Sequence, residues 1–314
     1  SVPMTLLFGY QNCSFTWPGG VPGDLFERTR AAAQRAEAAG FTSFWLMDHL
    51  VQIPLFGSLD EPLLEAWTTL AALAAVTSRI RLGSLVTAAS YRNPALLAKM
   101  AATVDVISGG RVILGIGAGW FRTEYAQYGF EFADKPSTRI GQLHEAVQVI
   151  KALWTQPRAN FQGKYFQVQD AVLEPKPLQK PHPPILIGGG GEKLTLRVAA
   201  RHADAVNWFG DPAMIRHKRA VLARHCAAVG RDANEITVTC LQDVIVARQE
   251  AGVRHKRNQH HLGDRAALIG TVPQVIDQIA GLQVAGVQHL IVNIPRNDPE
   301  VFELLVTEVL PAFR

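Results

Sequence analysis

The chain has 314 residues, 48% of them hydrophobic and 18% charged, with 31 basic and 27 acidic side chains giving a formal charge of +4. That apolar share supports a large buried core, and the charge is too small to point to nucleic acid, since a local basic cluster on an anionic cofactor accounts for it as well. No run approaches the roughly 18 uninterrupted apolar residues of a membrane span, no basic-then-apolar start suggests a secretory signal, and the three scattered cysteines, Cys13, Cys226 and Cys240, read as free thiols in a reducing cytoplasm with no metal site.

In chain order, short apolar runs alternate with longer amphipathic segments. Residues 5–10 (TLLFGY) read as a strand, 25–39 as an Ala-rich helix stopped by Gly40, 43–47 as a strand and 64–76 as a helix. Residues 80–86 (IRLGSLV) are a strand, 94–107 a helix opened by Pro94, 112–115 a strand and 137–153 a helix. Then come a strand at 184–187 ending in four glycines, a helix at 193–203, a strand at 205–208 and a helix at 212–229. The strand at 236–245, the helix at 272–285, the strand at 289–292 and the helix at 299–313 complete the chain. The strands are continuous and apolar rather than alternating, as strands buried on both faces are. Eight strand–helix units without a linker predict an α/β fold, a TIM (β/α)8 barrel forming one domain over 1–314. Two segments exceed ordinary loops: 155–183, with a hairpin in FQGKYFQVQ, and the basic, His-rich 247–270. Both are candidate lids over the barrel mouth.

Barrel enzymes place their chemistry where strands end. The ends here offer Gln11 and Asn12, then Asp48 and His49, then Ser84, Leu85 and Thr87. The later ones offer Gly117, Gly119 and Trp120, then Gly188–Gly191, Asn207 and Trp208, and last Asn293 and Arg296. His49 can exchange a proton near neutral pH and Asp48 beside it can tune it, so this pair is the catalytic candidate; the competing reading is a histidine bonded within a loop. Gly189, Gly190 and Gly191, between a strand and a helix, offer backbone N–H groups to a phosphate, against the alternative of a flexible turn. The stretch GIGAGW fails as a dinucleotide fingerprint because its third glycine comes early and Trp120 follows. Its glycines, Gly117 among them, suit the close approach of a planar ring. The basic run Arg254–Arg257 reads either as a solvated loop or as a clamp for an acidic cofactor tail.

Four stretches carry a resemblance: AEAAGFTSFWLMDHL, the run from TSRIRLGSLVT to RVILGIGAGW, PHPPILIGGGGEKLTLRVAARHAD and GTVPQVIDQI. In these the chain resembles the luciferase-like flavin oxidoreductases, and within them the branch that uses the deazaflavin coenzyme F420. The resemblance implies that His49 lies beside the deazaflavin ring. It implies a bulged third strand with a non-prolyl cis peptide at Ser84–Leu85 backing the ring, Thr87 as a ring contact, and Gly189–Gly191 on the phosphate. Trp120 stands where sugar-phosphate dehydrogenases of this branch carry a glutamate. That departure argues against a sugar-phosphate substrate, and the MDHLVQIP and GAGWFRTEY stretches look more like methylenetetrahydromethanopterin or methylenetetrahydrofolate reductases. The expected activity is hydride transfer between coenzyme F420 and a small organic substrate, such as one with a C=N unit, stacked among Gln11, Trp120 and Trp208. An FMN-dependent monooxygenase is the alternative, and a non-catalytic cofactor-binding protein a third. The resemblance also implies a homodimer, and the mild charge and lack of a long apolar run give the expectation of no nucleic-acid or membrane partner.

Overall fold

In the computed structural model, which describes residues 5–263 and 265–314, eight parallel strands close into a ring. They are β1 (Leu7–Asn12), β2 (Ser43–Leu46), β3 (Arg81–Ser84), β4 (Val112–Gly117), β5 (Ile185–Gly188), β6 (Ala205–Trp208), β7 (Thr237–Ala247) and β8 (His289–Asn293). Each pairs with the next in chain order, and β8 returns to β1 in the register Leu7↔His289. This is the TIM barrel expected from the alternation of strands and helices.

Alternate residues along each strand face opposite ways, which sorts the core in two. Phe44, Leu82, Leu114, Ile187, Val206 and Leu290 face out and are sealed by the helices. Trp45, Ile113, Leu186, Ala205, Leu241 and Ile291 face in and, with Leu85, form a separate plug inside the ring. Below the plug Trp45 Nε1 donates to Ser43 Oγ at 2.7 Å, and Ser43 Oγ lies 2.8 Å from His289 Nε2. Helix ends are set by local side chains: Glu65 accepts from the backbone N–H groups of Trp67 and Thr68, and Asp211 from that of Met214.

Four segments differ from the sequence reading. The strand expected over 80–86 stops at Ser84 and resumes as Thr87–Ala88, paired to β4. A short helix, Arg122–Tyr128, follows β4 where none was expected. The 247–270 stretch, of which residue 264 lies outside the described residues, is mostly ordered structure. It holds a helix, Glu250–Gln259, and a strand, Ala267–Thr271, that extends the sheet beside the end of β7. The last helix is regular only over Pro299–Leu304, then widens over Leu305–Val309 and tightens over Leu310–Phe313. The hairpin in 155–183 is present, Ala159–Gln162 against Gln167–Ala171. No helix among the described residues is long and apolar enough to cross a membrane.

Burial, and then the nearby Arg81 charge, hold the His289 imidazole down at about 4 instead of the usual 6.5. As pH falls below 6.5 the unfolded chain takes up a proton at this position and the folded chain does not until about 4, so stability is lost across that window. Denaturant titrations from pH 7 to 4 are expected to show this loss, and His289→Gln, which cannot titrate there, should flatten it.

Candidate functional site

The uppermost inward-facing residues do not meet across the ring. They line a cavity of ≈ 710 Å³ at the C-terminal ends of the strands, where Gln11, Met47, Gly117, Gly188, Asn207, Asp243 and Asn293 surround Leu85 and Leu241. Leu85 and Leu241 also belong to the plug, so the cavity floor is the top of the barrel core. Its rim carries two large exposed aromatic side chains, Trp120 at 55% and Phe209 at 63%.

The break in the third strand shapes one wall. Leu85 N–H still donates to Leu46 O at 2.8 Å, and Ser84 Oγ–H donates to Gly115 O at 2.7 Å. The non-prolyl cis peptide is therefore one residue later than expected, at Leu85–Val86, where the ladder has been left, and Ser84–Leu85 is not the cis bond. Gln11 Nε2 donates to the Leu85 carbonyl at 3.0 Å, and Cys13 Sγ–H donates to Gln11 Oε1 at 3.0 Å. Gln11 thus lines the cavity with its amide already engaged. Ser84 is buried behind the wall. A Cβ on Gly115 would lie 1.8 Å from Ser84 O, so this glycine accommodates the bulge of its neighbouring strand, not the flat ligand expected from the sequence. Gly117 does line the cavity, beside Val86. Gly115→Ala should destabilise the fold by about 3 kcal/mol, the upper end of overpacking costs, in a urea titration.

His49 lines the cavity, as expected, but its partner is not Asp48. His49 Nδ1 lies 2.7 Å from Oε2 of Glu124, a fully buried carboxylate that also accepts from the Leu50 N–H and the Tyr91 hydroxyl. Burial first, and then the Glu124 carboxylate, push the Tyr91 phenol above its usual range, so it remains a donor. Trp120 and Phe121 meet the imidazole edge-on, with centroids at 5.7 and 5.9 Å. Asp48 turns the other way: it accepts from Thr87 Oγ1 at 2.8 Å and from both Nη atoms of Arg92, at 2.5 and 3.2 Å. Arg92 continues to Glu65 at 2.8 Å. Thr87 is wholly buried, also accepts from Trp67 Nε1 at 2.9 Å, and is not a wall of the cavity as expected. Glu124, Tyr91 and Arg92 were missed in the sequence. Glu124 lies in the quoted GAGWFRTEY stretch, but only the unforeseen helix over 122–128 brings it beneath His49.

Three further expectations meet the geometry differently. Gly188 and Gly189 line the cavity beside Thr195, whereas Gly190 and Gly191 face away. The Gly190 carbonyl accepts from Lys218 Nζ at 2.6 Å and that of Gly191 from the Leu196 N–H at 2.9 Å. Trp208 is 2% exposed and packs in the outer core, because the strand alternation that points Asn207 inward turns Trp208 outward; Phe209 takes the rim position. In the basic run, Lys256 is held by Asp298 at 2.6 Å and Glu300 at 2.8 Å, so that cation is committed to the fold. On the far side of the mouth Asn293, expected there from its strand end, joins a polar corner with Asp243 and Arg265, which were unseen in the sequence. Asn293 Nδ2 donates to Asp243 Oδ1, and Arg265 Nε lies 3.3 Å from Asp243 Oδ2. Burial raises the Asp243 carboxyl above the usual carboxylate range, against the opposing pull of Asn293 and Arg265.

Comparison with known proteins agrees with this fold. A family model described as luciferase-like monooxygenase matches residues 8–263. The chain is 34% identical over 247 residues to the pyrimidine monooxygenase RutA of Stutzerimonas stutzeri, covering 76% of this chain and 66% of that one. It is 35% identical over 184 residues to the F420-dependent glucose-6-phosphate dehydrogenase of Amycolatopsis mediterranei, covering 58% and 52%. The solved coenzyme F420-dependent tetrahydromethanopterin reductase from Methanopyrus kandleri superposes with a TM-score of 0.79 at 21% identity over 99% of this chain and 100% of that one, a likeness of fold.

Proposed function

This chain belongs to the luciferase-like monooxygenase family, and from that premise we propose that it is an oxidoreductase exchanging a hydride between coenzyme F420 and a small organic substrate, with a C=N unit as the fitting acceptor. The carrying observation is the His49–Glu124 pair, at 2.7 Å, on the wall of a largely apolar cavity. The F420-dependent relatives support the choice of coenzyme.

The residues present fit a flat coenzyme with a phosphate-bearing chain. Leu85 and Val86 offer an apolar face, and Gly188 and Gly189 leave bare backbone beside the Thr195 side chain, where a Cβ on Gly188 would come within 3.0 Å of Val86. Leu85, Val86 and Gly117 would hold the ring, and Gly188, Gly189 and Thr195 the phosphate end. When bound, the coenzyme supplies the hydride chemistry. The protein handles the proton. Glu124 accepts at Nδ1 of His49, so that nitrogen carries hydrogen and Nε2 is the one left to take or give a proton. Trp120 and Phe121 flank the imidazole edge-on and leave its side chain only 13% accessible. Asp48 acts at one remove, fixing the loop through Thr87 and Arg92.

An FMN-dependent monooxygenase is the second reading, favoured by the monooxygenase names of the family and of RutA. Fluorescence titration of the purified protein separates the two. Binding of coenzyme F420 is expected, and micromolar FMN binding without measurable F420 binding would overturn the proposal. His49→Ala should lower turnover by about 10²–10⁴ with coenzyme affinity nearly unchanged. His49→Gln, which hydrogen-bonds but carries no proton at neutral pH, should be nearly as slow; near-wild-type turnover in that variant would leave His49 an orienting group only.

A further inference from the structure

The polar corner on β7 and β8 is not used by the proton chemistry of His49. Asp243 and Asn293 are neighbours in register, both inward-facing, both buried and both on the cavity wall. Because Asn293 Nδ2 donates to Asp243, its amide oxygen must face the other way, and no hydrogen bond to it occurs among the described residues. Arg265 completes the corner. Its Nε donates to Leu262 O at 2.9 Å and pairs with Asp243, and its guanidinium lies over the Phe56 ring at 4.9 Å. Its Nη1 is buried and has no hydrogen-bond partner.

A buried guanidinium N–H without an acceptor is costly. The corner therefore holds one donor without a partner and one acceptor that makes no hydrogen bond, on residues that flank the Asp243 carboxylate. Its charge is already balanced, one arginine against one aspartate, so a second carboxylate brought to Arg265 would be repelled by Asp243. A neutral group that both accepts and donates is the complement. Phe56, Leu241 and Ala266 give it apolar surroundings for a ring.

We propose that Asp243, Asn293 and Arg265 form the substrate-recognition subsite and take the NH–C=O edge of a lactam or cyclic imide. The carbonyl accepts from Arg265 Nη1, and the N–H donates to Asn293 Oδ1 or the Asp243 carboxylate. This rests on the reading of the mouth as a substrate cavity. β7 and β8 lie across the ring from β3 and β4, whose bulge and glycines were assigned to the coenzyme, so the two ligands face each other.

The test is calorimetric titration of the whole protein, saturated with whichever of coenzyme F420 or FMN it binds, with 2-quinolone and N-methyl-2-quinolone. The lactam should bind, and N-methylation, which removes only the N–H, should weaken binding roughly 10- to 100-fold. Arg265→Gln should weaken 2-quinolone by a similar factor and leave coenzyme affinity unchanged. Equal affinity for the two probes, or no binding of either, overturns the assignment. Displacement of 2-quinolone by coenzyme, together with weaker coenzyme binding in Arg265→Gln, also overturns it, because the corner then serves the ring edge of the coenzyme. The probe pair on the unmodified protein decides the question even if the variant folds poorly. No turnover is involved, so failure of the hydride-transfer reading leaves this result intact.

Discussion

The upper half of this molecule depends on one strand leaving its ladder for two residues. Between Ser84 and Thr87 the backbone swings inward, so that Leu85 closes the plug and Val86 stands as a wall. Backbone groups freed from a sheet must find other partners. The Leu85 carbonyl finds Gln11, and Gln11 in turn is steadied by Cys13. Space has to be found as well, and β4 and β5 provide it by carrying glycine at 115, 117 and 188, all of which pack on the displaced segment. When the strand resumes at Thr87 its side chain points outward and meets Asp48, and that contact extends through Arg92 to Glu65 at the start of the helix Ala66–Val76. A buried carboxylate is tolerable only when paired, and here the pairing ties the loop after β2 to the loop after the bulge.

Two buried carboxylates around the loop after β2 have been given different tasks by this arrangement. Asp48 faces a guanidinium and a hydroxyl and is a structural anchor. Glu124, equally buried, faces an imidazole, a phenol and one backbone N–H, and so reaches the cavity through His49. The sorting follows from where each backbone segment enters the site. Asp48 rises from the end of β2 and its neighbour His49 points to the cavity, whereas Glu124 comes back under His49 from a helix of seven residues.

The barrel was legible because its strands are short apolar runs with no polar face, each followed by a helix with a recognisable stop or cap. The histidine was legible because it follows a strand. What could not be read were the facts that depend on a face or a break. Asn207 and Trp208 are adjacent letters, and one residue of register decides which of them lines the cavity. The run IRLGSLV gives no sign that its ladder ends at Ser84, since Leu85 and Val86 are as strand-like as the residues before them. For the same reason the sequence reads Gly115 as facing a ligand, whereas its crowding comes from the neighbouring strand. Glu124 was hidden by distance: 75 residues separate it from His49, and only the folded chain makes them partners. Arg265 and Asp243 were passed over because each sits in a stretch read as loop or as buried strand.

The plug beneath the cavity has a kinetic corollary. Trp45, Leu186 and Ile291 fill the ring at mid-height, and Ser43 and His289 close it further down, so the mouth is a well with one open end. Two ligands that share such a well pass through the same opening. Whichever lies against Leu85 is covered by the other, so it arrives first and departs last, and only the outer ligand exchanges freely.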